Sequence, residues 1–200
     1  MRLFFSPRGD RSGSETAASL LAYAFGTMYG SALPDIKRTP NGKPYFPEAP
    51  HVHFSLSHSR VYILCAVSDH PVGADTESPR FISGGSIAYF CAPEELSAFD
   101  PLELWVPKES YIKLIGATLP AVKRVRFSHD GRRISAPDTN VMSKLYRISF
   151  SANAQTPCLS RLTAESYSDF HTGVSDNSCI AAVSAFGEEP PGSIEAVHLP

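Results

Sequence analysis

The 200-residue chain has four cysteines, Cys65, Cys91, Cys158 and Cys179, and no two of them share a short spacing. Without a CxxC pair there is no framework for a structural zinc site, and nothing demands an oxidising compartment. Cys65 and Cys179 lie in apolar runs, where a free thiol acts as a small hydrophobe. Long hydrophobic runs are missing too: none approaches the ~20 residues of a membrane-spanning helix. The start, MRLFFSPRGDRSGSE, turns polar after a short apolar patch, unlike a secretory leader. These features lead us to expect a soluble, cytoplasmic protein that does not engage a membrane. Positive charge is also scarce. Eighteen basic against twenty acidic residues leave a net charge of −2, and no Lys or Arg occurs between Arg11 and Lys37. That balance argues against general nucleic-acid binding, which needs a basic face. The short basic clusters Lys123-Arg124-Val125-Arg126 and Arg132-Arg133 read as solvated faces.

Prolines (17) and glycines (13) are plentiful, which predicts long loops and few helices. A strand is expected over residues 3–6. A helix follows over 15–29, capped by Ser14 and stopped by Gly30, with Leu20, Leu21, Ala24, Phe25 and Met28 at helical spacing. Residues 34–50 form a proline-dense connector with a turn at Asn41-Gly42, and Lys43 follows directly. Strands are expected over 52–57 and 61–68, the second continuously apolar and so buried on both faces. A third runs over 72–77. A short helix is expected to end at 87–90, and another to run from Pro93 to about Phe99. The main second helix spans 102–116, with Pro101 in its first turn and Pro107 as a kink or delayed start. Beyond residue 121 the pattern is antiparallel β: 122–128, 133–136, 145–151, 167–173, 178–184 and a terminal edge strand in 194–199. Gly131 marks a tight hairpin.

Two stretches carry chemistry. FSLSHSRVYILCAVSDHPVGADTE (54–77) and WVPKESYIK (105–113) supply three carboxylates, Asp75, Glu77 and Glu109, with Lys108, Lys113 and the pair Ser57–His58. Residues two apart in a strand face the same side, so Asp75 and Glu77 project together and repel unless a cation lies between them. Glu109 and Lys113 stand four apart on one helical face. Taken singly each feature is ordinary. Asp75 and Glu77 alone read as an exposed edge pair, and Glu109–Lys113 alone as a surface ion pair worth ~0.3–0.5 kcal/mol. Together, acids that hold a hard cation beside bases that hold phosphate suggest metal-assisted chemistry on a phosphoester.

Their order and spacing go further. Gly42-Lys43-Pro44, then Phe54 to Ser59, then Val72-Gly73-Ala74-Asp75-Thr76-Glu77, then Trp105 to Lys113 resemble the surfactin-synthetase type of 4′-phosphopantetheinyl transferase. The similarity covers about residues 35–184, and the GxDxE and WxxKESxxK signatures in series are highly specific, although either alone is weak. The resemblance implies an α+β fold of two similar lobes related by a pseudo-twofold axis, here residues 1–72 and 73–200, with coenzyme A in the cleft between. It implies transfer of the phosphopantetheine arm of coenzyme A to a serine of an acyl or peptidyl carrier protein, with release of 3′,5′-ADP, by a monomer.

Carried over by position, Asp75, Glu77 and Glu109 hold Mg²⁺, or Mn²⁺, which oxygen ligands alone do not distinguish. Asp75, Glu109 and Lys113 are the catalytic group, with Glu109 or a metal-bound water taking the serine proton. Lys43, Ser57, His58, Lys108 and Lys113 contact coenzyme A, with His58 on the 3′-phosphate. Glu94 aligns loosely with a family glutamate near the metal. This chain departs from the family in its short, basic-poor segment before Gly42, where Arg8, Arg11, Lys37 or Arg38 are the available substitutes. It departs also in the compact stretch between Glu77 and Trp105, and at Pro107. Two other function classes stay open: a non-catalytic relative that binds a carrier protein or coenzyme A, and a Mg²⁺-dependent hydrolase of nucleotide pyrophosphates.

Overall fold

The computed structural model describes residues 1–128, 133–136, 139–149, 158–161, 178–186, 189–191 and 193–199. Strand β1 (Arg2–Pro7) leads into helix α1 (Gly13–Tyr29), which begins two residues earlier than expected. Ser12, rather than Ser14, is its cap, because Glu15 lies three residues on and closes a reciprocal capping box with it. Gly30 ends the helix with φ of 67°, a left-handed turn that costs a glycine little. The proline-rich connector carries a two-residue ladder, β2 (Lys37–Arg38) with β3 (Pro44–Tyr45).

Strands β4 (His53–His58), β5 (Tyr62–Ser68) and β6 (Val72–Glu77) follow close to the expected bounds. The apolar run of β5 is buried along its whole length because both of its faces are covered. Ile63, Cys65 and Val67 point with Phe4 into a core closed by Leu20, Leu21, Ala24 and Phe25 of α1. Tyr62, Leu64 and Ala66 point the other way, into a second core with Leu3, Phe5, Val72, Ala74, Ala181 and Val183. Period-two alternation thus divides one strand between two cores.

Helices α2 (Gly84–Phe90) and α3 (Pro101–Ile115) come next. Residues 93–98, expected as a helix, are turns. Asp100 starts a fresh capping box with Glu103 just beyond, and Pro101 occupies the first turn of α3. Pro107 does not delay the helix, which runs through it unbroken. Residues 122–128 were expected as a strand. Instead a 3-10 helix, Leu119–Arg124, precedes the two-residue β7 (Arg126–Phe127). The physical reason is the burial period: Val122 and Val125 are both fully buried three residues apart, the spacing of a 3-10 turn.

Strands β8 (Arg133–Ala136), β9 (Thr139–Ser149), β10 (Cys158–Arg161) and β11 (Ser178–Ala185) complete an antiparallel sheet in the order β6-β11-β9-β8-β7, with β10 beside β9. The expected strand at 167–173 and the hairpin at Gly131 lie outside the described residues. A second sheet has the order β12-β1-β5-β4, where β12 is Glu195–Ala196. The terminal edge strand therefore does not stay with residues 73–200: it pairs in parallel with β1 and is tied there by the Arg2–Glu195 ion pair. The architecture is a mixed α+β one with several sheets and few helices. Among the described residues no helix is long and apolar enough to cross a membrane.

Candidate active site

The site forms where β4 and β6, end strands of different sheets, lie side by side. They are not joined by a backbone ladder. Two serines two residues apart bridge them: Ser55 Oγ accepts from Ala74 N at 2.9 Å, and Ser57 Oγ accepts from Thr76 N at 3.2 Å. The S-x-S pattern of β4 thus satisfies backbone donors on β6 that would otherwise be buried unpaired. Phe54, on the opposite face, packs in the α1 core, with Leu56 at its margin.

Helix α3 lies directly on β6 because Gly73 has no side chain. A Cβ there would stand 1.9 Å from Ser110 O and 2.4 Å from Leu114 N. Ser110 Oγ reaches Ser184 Oγ on β11 at 2.6 Å and adds a second tie. This close seat brings Lys113 onto Asp75. The ammonium donates to Asp75 Oδ1 at 2.6 Å and to Ser57 Oγ at 3.0 Å, while Ser57 donates to the same Asp75 oxygen at 2.7 Å. Glu109, one turn earlier, lies 3.9 Å from Lys113 Nζ.

Charge on this face is unbalanced toward the acids. Asp75 is buried, and its Oδ2 has no hydrogen-bond partner among the described residues. Burial, and then the nearby Asp75 and Glu77 charges, push the Glu109 carboxyl up to about 7. Glu77 turns its oxygens to Arg80, at 3.1 Å. Among the described residues no three His, Cys, Asp or Glu side chains converge to hold a metal as they stand. The donor set nevertheless suits a hard cation. It offers carboxylate oxygens, one of them buried and unmatched, and a neighbouring acid, Glu109, raised first by burial and then by the Asp75 and Glu77 charges.

Beside the cluster is a cavity of about 300 Å³, lined by Arg38, Lys43, Ser55, Leu56, Ile112 and Lys113 among others. Lys113 belongs to both. Lys43 donates its ammonium to Leu114 O, and Asn41 Nδ2 donates to Gly116 O at 3.0 Å, so the β2–β3 turn caps the carbonyl end of α3. Burial holds the Lys43 ammonium below its ordinary pKa.

Of the residues expected from sequence, Ser57, Asp75, Glu109 and Lys113 come together, Glu77 stands on the same strand, and Lys43 lines the adjoining cavity. His58 does not join them. It follows Ser57 on β4 and so faces away, and its ring packs against Gly13 at the start of α1. Lys108, expected on the phosphates, is fully buried. Its ammonium donates to Glu95 Oε2 at 2.5 Å and to Phe90 O at 2.7 Å, and burial lowers its pKa. Glu94 is corrected as well: it is exposed, its carboxylate 3.9 Å from Arg126 Nε, and the inward-facing acid is its neighbour Glu95. Glu95, Arg80 and Asn41 were missed. The i,i+3 spacing of Glu77 and Arg80 was open to notice, whereas Lys108 and Phe127, which Glu95 meets, and Gly116, which Asn41 meets, are distant in sequence.

Comparison with known proteins bears out the resemblance. A 4′-phosphopantetheinyl transferase of Bacillus subtilis is 38% identical over 111 residues, 48% of this chain and 50% of the relative. The 4′-phosphopantetheinyl transferase Sfp of Bacillus subtilis (strain 168) is 36% identical over 113 residues, half of each chain. The 4′-phosphopantetheinyl transferase gsp of Aneurinibacillus migulanus is 35% identical over 85 residues, 38% of this chain and 35% of the relative. No family model matches the chain. The matched stretch spans about half the length of the curated relatives at most.

Proposed function

We propose that this chain transfers the 4′-phosphopantetheine arm of coenzyme A to a serine of an acyl or peptidyl carrier protein, releasing 3′,5′-ADP. One observation carries the reading: Lys113 spans the buried acid Asp75 and a cavity whose wall also holds Lys43 and Arg38. A ligand with a pyrophosphate finds there basic groups for its oxygens beside an acid for a serine proton. Glu109, held up at about 7, is poised to accept that proton near neutral pH. The serine oxygen bonds to the phosphorus bearing the pantetheine, its proton passes to Glu109, and the bridging P–O bond breaks with its electron pair leaving on 3′,5′-ADP. Lys113 orients the phosphate oxygens and Ser57 holds Asp75 in place.

Asp75, Glu77 and Glu109 would hold Mg²⁺ or Mn²⁺, which offsets charge on the phosphate under attack and on the leaving group. His58, the last residue of β4, with its ring against Gly13 at the start of α1, is assigned to the 3′-phosphate. On the same reading residues 1–72 and 73–200, apart from β12, which joins β1, are two related lobes, a division supported by α1 packing on β5 and α3 packing on β6 and β11.

Intact-mass spectrometry of an apo-carrier protein mixed with this protein, coenzyme A and Mg²⁺ tests the proposal. The expected result is a gain of one phosphopantetheine arm that vanishes with EDTA and in Asp75→Ala and Glu109→Ala. Coenzyme A bound but never transferred, across several carrier proteins, refutes it in favour of a binding relative. Release of 3′,5′-ADP without any carrier protein refutes it in favour of a hydrolase.

A further inference from the structure

The Lys108–Glu95 pair lies outside the cluster just described, yet Lys108 is the immediate neighbour of Glu109 on α3. Its ammonium is wholly buried, and the carboxylate it meets is 3% exposed. Glu95 Oε2 takes Lys108 Nζ at 2.5 Å and Ala92 N at 2.9 Å, while Oε1 takes Phe127 N at 2.7 Å. Lys108 also donates to Phe90 O at 2.7 Å. One carboxylate therefore ties α3 to the chain leaving α2 and to Phe127, the last residue of β7.

Burying two charges is costly, and well-packed apolar residues in their place are often as stable or more so. What an ion pair supplies and an apolar contact does not is direction, and setting a register is the best-attested use of such buried pairs. Each residue of an α-helix turns the side chain by about 100°. With Lys108 pinned toward Glu95, Glu109 is carried round toward β6, and Lys113, four residues on, shares its face. The Gly73 contact sets how close α3 lies to β6 and the Ser110–Ser184 bond ties it toward β11, while the Lys108–Glu95 pair is the charged, directional contact on another side of the helix.

We propose that Glu95 and Lys108 are positioning residues, a buried pair that sets the rotation of α3 and so delivers Glu109 and Lys113 to Asp75. The kinetic part of this inference rests on the transfer reaction proposed above; the structural part does not.

The test compares Lys108→Met, Glu95→Gln and the double variant with the full-length wild type, at a temperature where urea unfolding shows each to be folded. Two readouts are taken: kcat and KM for coenzyme A in carrier-protein modification, and the backbone amide resonance of Asp75, which neither residue touches. Positioning predicts a fall in kcat of about ten- to a hundredfold with KM within about twofold. It predicts a moved Asp75 resonance in both single variants, and a double variant no worse than the worse single, because the two act as one unit. If Lys108→Met fails to fold, Glu95→Gln decides alone, since its carboxamide oxygen still accepts from Phe127 N. A raised KM with kcat retained overturns the proposal in favour of a phosphate contact by Lys108. Unchanged kcat, KM and Asp75 resonance overturn it in favour of a purely stabilising pair. Should the wild type transfer nothing, the transferase reading fails and the Asp75 resonance still decides this one.

Discussion

Gly73→Ala is the substitution whose effect the geometry specifies most closely. An added Cβ meets Ser110 O at 1.9 Å and Leu114 N at 2.4 Å, and both are backbone atoms of a helix that has no side chain to swing aside. Real Cβ atoms essentially never come closer than 3.0 Å, so α3 must lift from β6 by about 1 Å. Overpacking of this kind costs about 1–3 kcal/mol. The same displacement takes Lys113 Nζ, now 2.6 Å from Asp75, to about 3.6 Å, too long for a good hydrogen bond though still within ion-pair range. Loosening this part-buried pair adds to the overpacking cost, and the two effects together come to about 3 kcal/mol. With a urea m-value of about 1–3 kcal/mol/M, the unfolding midpoint falls by about 1 M or more. Trp105, the sole tryptophan, lies in α3 with its ring 5.0 Å from that of Phe90 and reports the transition by fluorescence. Gly85→Ala is the control: nothing lies within 4 Å of the Cβ it would add, and its cost should stay within about 1 kcal/mol. A Gly73→Ala midpoint indistinguishable from that of Gly85→Ala refutes the reasoning.

Three further outcomes follow from the site. Glu109 has a folded pKa of about 7 against an ordinary 4.5, so the folded chain binds this proton more tightly. Its contribution to stability is full below about pH 4.5 and is lost as pH rises through about 7. Urea midpoints in EDTA should fall across that window in the wild type and fall less in Glu109→Gln; equal slopes would remove the argument. Asp75→Asn withdraws a charge that raises Glu109, so the Glu109 carboxyl, followed by NMR titration, should move down toward its ordinary value; an upward move contradicts the assigned cause. His58→Ala should raise KM for coenzyme A and leave kcat largely intact, since a phosphate contact far from the reacting bond gives uniform binding. A pure loss of kcat contradicts that role.

Much of the local structure was legible because its causes are local. Gly30 ends α1 as a left-handed cap, and Pro101 sits in the first turn of α3. The apolar run of β5 declared burial on both faces, and the spacing of Asp75 with Glu77 and of Glu109 with Lys113 announced one acidic strand face and one charged helix face. The misses share a different origin. Residues 122–128 look like a strand by composition, yet two valines three apart sank into the core and wound the chain into a 3-10 turn. The terminal strand paired with β1, because strand choice depends on which edge is free rather than on neighbourhood in the chain.

The motifs in series were enough to point to a family and to name Asp75, Glu77, Glu109 and Lys113 as a group. Sequence could not say which lysine of WxxKESxxK would face the acids. Lys108 and Lys113 are five residues apart, so they leave the helix on different sides, and either side is a reasonable place for a cation. Only the packing decided it. Gly73 let α3 settle on β6 with Lys113 over Asp75, and the far side of the helix then met Glu95, whose carboxylate took Lys108 out of water. Helical periodicity is written in the chain, but which face meets which partner depends on residues far away along it.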